Sequence, residues 1–233
     1  MIALLRGARR GLVGLLGIGL WSAQVAVGQS GGGTITGSVR LAAAKGTPLA
    51  VSPYGRRGVA PKRSTSPPDI RNVIVYVSGR TPSSPPPPMR ARVPQRDEQF
   101  LPRVTVVTTG SSVEFPNEDP FFHNVFSLSK AAQFDLRRYP SGSSRTEIFT
   151  KPGIVKVFCH LHAQMTALIM VLDHPWFVIP SDDGTFTLTG VPAGELSIVA
   201  WHERIGERRE RVRVTTGETT RLSFTLPVLE PTP

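Results

Sequence analysis

Short segments in which apolar and polar residues alternate recur along most of this 233-residue chain. Val, Ile, Thr and Phe are frequent in them, and Gly and Pro, with 22 copies each, separate them. The apolar spacing that would indicate helices is nearly absent. The pattern therefore predicts an all-β chain folded as β-sandwiches. The candidate strands are residues 34–41, 72–78, 103–108, 112–116, 124–128, 145–149, 153–159, 166–172, 185–189, 196–202, 209–215 and 219–226.

The N-terminus has the composition of an export signal. Arg6, Arg9 and Arg10 precede an apolar run over residues 11–21, and small residues follow it. That run is shorter than the roughly 20 residues of a membrane span. We therefore predict a signal peptide over residues 1–28, no membrane span after its removal, and a periplasmic or secreted protein. The paired arginines are a weak twin-arginine signal, so a Sec-type signal is the expected one.

Two segments rich in Pro, Ser and Arg interrupt the alternating pattern. Residues 46–69 are predicted to be a disordered insertion, and residues 81–94, with four consecutive prolines, a Pro-rich linker. Two sandwich-sized units remain, over residues 95–173 and 175–229. The early strands of the second unit are missing, and a sheet as short as the one that remains is marginally stable.

The formal net charge of +10 raises the question of a nucleic-acid partner. Without the three arginines of the signal the charge falls to about +7. The remaining arginines are scattered over linker and strands rather than gathered on one face, and an exported protein does not meet nucleic acid. We predict no nucleic-acid binding, and solvated surface charge that could steer an acidic redox partner.

Cys159 is the single cysteine, so the chain cannot form an internal disulfide. A lone thiol in an oxidising compartment is either buried and inert or held by a metal. Its neighbourhood favours the metal, because Cys159, His162 and Met165 follow one another at Cys-x2-His-x2-Met spacing. The thiol ends one predicted strand and the thioether begins the next, so the loop between them can carry His162 to the same ion.

A fourth ligand must come from elsewhere, and His123 lies in a predicted turn between two strands. A thiolate, two imidazoles and a weak thioether form the donor set of a mononuclear type 1 copper site. Zinc is the main alternative, although structural zinc sites prefer further Cys or His to Met. Next to Cys159, His160 is expected outside the ligand set, since neighbouring side chains of a strand point to opposite faces. His174 and His202 are expected to be structural.

Residues 95–173 resemble the cupredoxins, in particular amicyanin, plastocyanin and the group often labelled methylamine utilisation proteins. The resemblance is carried by residues 100–106, 110–119 and 151–159, by the His123-Asn124 pair and by the Cys-x2-His-x2-Met spacing. It departs from those proteins at His160 and Leu161, where they often have a small residue and Pro. The resemblance implies a Greek-key β-sandwich with one copper ion, in which His123, Cys159 and His162 are strong ligands and Met165 is axial. It also implies that Asn124 ties the ligand loops together.

Residues 181–203 resemble carboxypeptidase regulatory-like domains, which are transthyretin-like sandwiches. Their opening strands look like residues 35–41 and 72–79. This predicts that residues 33–80 pair with residues 175–229 as one domain and that the cupredoxin is inserted between its strands. The alternative is that residues 33–80 complete the cupredoxin sheet.

The resulting prediction for function is an exported blue copper protein that carries single electrons between redox partners. The partner proteins and the oligomeric state are not given by the sequence. A periplasmic copper carrier or storage protein, and a structural interaction module without redox role, remain as alternatives. An enzyme is not expected, because no general base, nucleophile pair or open coordination position is evident.

Overall fold

The structure, a computed structural model, describes residues 31–44 and 70–229. Within these residues it contains a short 3-10 helix, Ile70–Asn72, and seventeen β-strands. The strands are β1 (Gly33–Ala44), β2 (Val73–Ser78), β3 (Arg90–Arg92), β4 (Gln95–Arg96), β5 (Gln99–Phe100), β6 (Val104–Thr108), β7 (Ser111–Pro116), β8 (His123–Ser129), β9 (Ala132–Tyr139), β10 (Ser144–Phe149), β11 (Gly153–Phe158), β12 (Thr166–Leu172), β13 (Phe177–Val178), β14 (Thr185–Val191), β15 (Gly194–His202), β16 (Gly206–Val214) and β17 (Thr219–Leu229). The prediction of an all-β chain is confirmed.

Four sheets form two sandwiches. The central sandwich consists of a five-stranded sheet, β6-β12-β11-β8-β9, and a three-stranded sheet, β10-β7-β3. Its core includes Phe115, Tyr139 and Phe149, and the single cysteine lies in the same cluster. The terminal sandwich consists of the sheets β14-β1-β17 and β13-β2-β15-β16 around a second core that includes Ile35 and Phe224. Each sandwich therefore has an apolar interior of its own, supplied by alternate residues of its strands.

Strand β2 explains how the two sandwiches are joined. Its sequence, Val-Ile-Val-Tyr-Val, is apolar on both faces, which is typical of a strand covered on both sides. Val73, Val75 and Val77 enter the core of the terminal sandwich. Ile74, with Tyr76 beside it, packs the other way, in a third cluster that includes Val104 and Leu168 of the central sandwich. The sheet β13-β2-β15-β16 is thus an inner layer, packed against sheets on both of its faces.

The strands before residue 80 pair with strands near the C-terminus. Strand β1 runs parallel to β17, from the pair Thr34 and Thr219 onward, and antiparallel to β14. Strand β2 runs antiparallel to β15 and β13. Among the described residues, neither β1 nor β2 pairs with a strand of the central sandwich. The chain therefore leaves the terminal sandwich after β2, builds the central one, and returns at β13.

The segment predicted as a linker, residues 81–94, is shorter in the structure. Strand β3 lies within it and pairs in parallel with β7, where Ala91 is opposite Val113. Val93 is completely buried in the core of the central sandwich, and its N–H donates to the carbonyl oxygen of Glu114. The central sandwich therefore begins near residue 90 rather than at 95, because Val93 is buried in its core and the partly buried Ala91 packs against it.

Two predicted segments fall outside the described residues, namely the signal peptide at residues 1–28 and the insertion at residues 46–69. Within the described part of the chain, none of the helical structure has the length and apolar character needed to cross a bilayer.

Candidate metal centre

The four predicted ligands come from neighbouring strands at one end of the five-stranded sheet. His123 is the first residue of β8, Cys159 follows the last residue of β11, and Met165 precedes the first residue of β12. Strand β11 pairs with both others, and Phe158, its last residue, is opposite Phe126 of β8 and Thr166 of β12. This pairing brings the beginning of β8, the end of β11 and the beginning of β12 together at one end of the sheet.

The ligand atoms of His123, Cys159 and His162 face one another. The sulfur of Cys159 lies 3.8 Å from Nδ1 of His123 and 3.8 Å from Nδ1 of His162. The two Nδ1 atoms are 3.2 Å apart, and all three donors lie within 4.8 Å of one another. An ion about 2.0 Å from each nitrogen and about 2.3 Å from the sulfur, at the centre of a trigonal plane, needs separations of about 3.5 to 3.7 Å. The triangle in the structure has nearly these dimensions.

Met165 lies beside this triangle. It is 1% exposed and belongs to the same buried cluster as Cys159. Its N–H donates a hydrogen bond of 3.0 Å to the carbonyl oxygen of His162, so the loop from His162 to Met165 closes as a tight turn. The four predicted ligands are thus a contiguous group, and the donor chemistry of a thiolate, two imidazoles and a thioether fits copper.

The site is buried on one side and approaches solvent on the other. His123 is completely buried and Cys159 is 4% exposed, whereas His162 is half-buried. The ring of Phe121 packs against both imidazoles, with centroid distances of 5.2 Å to His123 and 5.4 Å to His162. Of the two imidazoles, His162 is therefore the one that reaches the surface.

The remote nitrogen of His123 contacts a buried carboxylate. Its Nε2 lies 2.7 Å from Oδ2 of Asp119, which is itself 4% exposed. Burial on its own would raise the pKa of Asp119, but hydrogen bonds from His123 and from the backbone N–H groups of Glu98 and Asp97 outweigh it and hold that pKa below its ordinary value. The ionised carboxylate can only accept, so His123 donates from Nε2 and its Nδ1 is left free to bind a metal.

Asn124 connects strand β8 to the loop that follows Cys159. Its Oδ1 accepts the N–H of His160 at 3.3 Å, and its Nδ2 donates to Oδ1 of Asp135 at 2.7 Å. The side chain of His160 points away from the cluster. Its exposed ring stacks on Phe126, with centroids 3.7 Å apart and the planes within 1° of parallel.

The other two histidines with predicted structural roles lie in the terminal sandwich or at its edge. His174 is 4% exposed and stacks against Tyr76 and Trp176, with centroid distances of 6.4 and 5.6 Å. Burial lowers the pKa of His174, and this outweighs the nearby charge of Asp173. His202 is buried at the end of β15, where its Nδ1 accepts the N–H of Arg204.

Sequence reasoning did not identify Asp119 as part of the site. The carboxylate lies four residues before His123, but this spacing has no special meaning outside a helix. Its importance depends on the turn at Asp97 and Glu98, more than twenty residues earlier in the chain.

No family model matches this chain, and no curated protein matches it. Solved structures similar to part of it include a purple cupredoxin from Nitrosopumilus maritimus, 19% identical, with the match covering 35% of this chain and 98% of that protein at a TM-score of 0.32. A copper-containing nitrite reductase from Thermus scotoductus is 25% identical over 43% of this chain and 26% of its own, at a TM-score of 0.35. A reduced amicyanin mutant is 19% identical over 34% of this chain and 79% of its own, at a TM-score of 0.33. Each of these matches covers less than half of this chain.

Proposed function

We propose that this protein binds one copper ion through His123, Cys159, His162 and Met165 and carries single electrons between redox partners. The observation that supports this most directly is the triangle of one sulfur and two Nδ1 atoms with sides of 3.8, 3.8 and 3.2 Å. Copper bound there would supply a couple between Cu(I) and Cu(II). The soft thiolate and thioether suit Cu(I), and the imidazoles also accept Cu(II).

The arrangement of the ligands supports electron transfer because little has to move. His123 begins a strand, Cys159 follows one and Met165 precedes one, so three of the ligands are attached to one sheet. The side chains of Cys159 and Met165 lie in the core of the central sandwich, and that of His123 is completely buried. A packed interior resists displacement of its side chains, so the ligand positions can stay nearly the same in both oxidation states.

The surface around His162 supports contact with a partner protein. Phe121, Phe122 and Leu161, which are 39%, 55% and 38% exposed, belong to the two loops that carry His123 and His162. Apolar side chains in a group mark an interaction surface. A redox protein bound there would lie next to the half-buried imidazole, whereas Cys159 and His123 are covered by protein.

The two sandwiches also suit the resemblances drawn from the sequence. We propose that residues 95–173, extended to β3, form a cupredoxin domain, and that residues 33–80 and 175–229 together form a regulatory-like domain. Strand pairs between β1 and β17 and between β2 and β15 support this division, because they connect the two ends of the chain. Export to the periplasm or beyond is part of the proposal, because residues 1–28 have the composition of an export signal. In an oxidising compartment, the metal would protect the thiol of Cys159 from oxidation.

Visible spectroscopy and voltammetry of the copper-loaded protein test the proposal. We expect an intense thiolate-to-copper band and a reversible one-electron couple, and we expect Cys159→Ser to lose the band. The zinc-loaded wild-type protein is the matched control, because the same site then holds an ion without redox chemistry. Colourless Cu(I) that resists oxidation would instead indicate a copper carrier, and tight zinc binding without preference for copper would refute both functions.

A further inference from the structure

Asp119 is a carboxylate that the central sandwich buries and fully supplies with donors. Its Oδ1 accepts the N–H of Asp97 at 2.7 Å, and its Oδ2 accepts the N–H of Glu98 at 3.1 Å and Nε2 of His123 at 2.7 Å. A buried charge is costly unless it is paired and hydrogen-bonded. These donors are arranged so that the carboxylate can stay charged next to a proposed copper ligand.

Two of the three donors come from an unusual turn. Asp97 and Glu98 connect β4 to β5 and have φ angles of 53° and 54°, in the left-handed region that residues other than glycine rarely adopt. This conformation is unfavourable for a residue that has a Cβ atom. It directs two successive N–H groups at one carboxylate, and these charge-assisted bonds offset the cost.

The same hairpin contacts the loop that carries the other proposed ligands. Oε2 of Glu98 accepts a hydrogen bond of 2.5 Å from Nε2 of Gln164, which lies between His162 and Met165. On the other side of the turn, Arg96 pairs with Glu118, and the N–H of Glu118 donates to the carbonyl oxygen of Gln95. The hairpin β4–β5 therefore holds both the segment before His123 and the loop after Cys159.

The segment from residue 117 to 121 adds a further constraint. Oδ1 of Asn117 accepts the N–H of Asp119 at 3.0 Å, and its Nδ2 donates to the carbonyl oxygens of Phe121 and Tyr139 at 2.7 and 3.2 Å. Asn117 is 1% exposed. Asp119 thus has its backbone, as well as its carboxylate, fixed relative to His123.

We infer that Asp119 is a positioning residue for the copper site, which sets both the orientation of His123 and the reduction potential. By accepting the Nε2 proton it favours the tautomer of His123 whose Nδ1 lone pair is aimed at Cys159. Its negative charge strengthens this imidazole as a donor and favours Cu(II) over Cu(I), so it lowers the reduction potential. The inference rests on the proposed function.

Asp119→Asn and Asp183→Asn form a matched pair for the test. Each replaces one aspartate carboxylate by an amide, but Asp183 lies in the terminal sandwich, where its Oδ1 accepts hydrogen bonds from Thr185. We expect Asp119→Asn to raise the reduction potential and to weaken copper binding about 10- to 100-fold, as loss of such partners does. Asp183→Asn is expected to leave both close to the wild-type values. Equal changes in the two variants, or none in Asp119→Asn, would overturn the inference.

Nitrogen-15 NMR of histidine-labelled wild-type protein tests the inference without relying on a variant that folds. In the Cu(I)-loaded protein, we expect a slowly exchanging proton on Nε2 of His123 and none on its Nδ1. A proton on Nδ1, or an Nε2 proton that exchanges as fast as those of exposed His160, would contradict it. A wild-type protein that takes up no copper would refute the proposed function instead, and the metal-free protein would still report whether Asp119 fixes the His123 tautomer.

Discussion

Nδ1 of His123 lies 3.2 Å from Nδ1 of His162. At this distance two imidazole nitrogens can share a proton in a hydrogen bond or bind one metal ion together. The backbone and core of the central sandwich therefore hold the two atoms close enough for a single ion to bind both. Because the ion would bind only the folded state, it should also raise the stability of the protein.

His162 and His160 provide a matched pair for this expectation, since they are two residues apart in one loop. His162→Ala removes a donor from the triangle, so we expect copper to bind much more weakly and to raise the thermal midpoint far less than in the wild type. His160→Ala removes only the ring that stacks on Phe126, and we expect copper affinity and the visible band to be retained. Thermal unfolding with and without copper measures both effects. If the two variants lost copper equally, His160 would belong to the ligand set.

The variants Met165→Leu and Met170→Leu distinguish a thioether that would bind copper from one that only packs in a core. Both are buried, but Met165 lies in the cluster of Cys159 and Met170 in the cluster that joins the two sandwiches. Exchange of a buried Met for Leu conserves volume and usually costs less than about 1.5 kcal/mol. We expect Met165→Leu to raise the reduction potential, because a site left with three donors suits Cu(I), which accepts a lower coordination number, better than Cu(II). Met170→Leu should leave the potential unchanged in voltammetry, and equal potentials in the two variants would argue against an axial role for Met165.

Alternation and local spacing were sufficient to predict most of the strands and the candidate ligands. Each of the candidate strands overlaps a strand of the structure, and Cys159, His162 and Met165 could be grouped because one loop carries them all. Residues so close in the chain also stay close in space, independently of how the rest of the chain folds. His123 was placed by its turn and by the need for a second imidazole.

The elements that the sequence analysis missed depend on partners distant in the chain. Strand β9 alternates over Phe134 and Leu136, but Arg137 and Arg138 then break the pattern, and Arg137 has a φ of 62°. Strands β3, β4 and β5 have two or three residues each and are defined by their neighbours. The contact between Asp119 and the turn at Asp97 has the same character, because a tertiary contact creates it and no local pattern encodes it.

His174 should make stability depend on pH. Burial lowers its pKa in the folded protein, despite the opposing charge of Asp173, while the unfolded chain regains the ordinary value of 6.5. On acidification the unfolded state therefore binds the proton at a higher pH than the folded state does. The contribution of His174 to the free energy of unfolding is complete above pH 6.5 and is lost as the pH falls toward the pKa of the folded state. The slope for one proton is at most about 1.4 kcal/mol per pH unit.

Urea unfolding of the wild type and of His174→Asn at pH 7.5 and pH 5 would measure the contribution of this histidine. The amide oxygen of Asn can accept the N–H of Trp176, which His174 Nδ1 now accepts at 3.3 Å. We expect the variant to lose less stability than the wild type on acidification. His160→Ala is the control, because it removes an exposed histidine and leaves the burial of His174 unchanged. Identical pH dependence in the wild type and in His174→Asn would contradict the prediction.

Gly37 lies at the centre of β1, where the strand is paired on both sides. A Cβ atom added there would lie 1.6 Å from the carbonyl oxygen of Leu222 and 2.8 Å from the ring of Phe186. The first of these atoms belongs to the backbone of β17, so relief requires separation of two strands that pair from Thr34 to the end of β1. Overpacking usually costs 1 to 3 kcal/mol, and a backbone clash is at the upper end, so we expect Gly37→Ala to destabilise the protein by about 3 kcal/mol or more.

Gly79→Ala is the matched control for Gly37→Ala. Gly79 follows β2 with a φ of 72°, and a Cβ there would contact nothing within 4 Å, so only the cost of a left-handed backbone, about 1 to 2 kcal/mol, applies. Urea unfolding of both variants should therefore show the larger loss for Gly37→Ala. Because Gly37 lies in the terminal sandwich, folded Gly37→Ala protein should keep the visible band of the copper-loaded wild type. A loss of stability no greater than that of Gly79→Ala would mean that β1 and β17 can separate at this point without cost, contrary to the close pairing that joins the two ends of the chain.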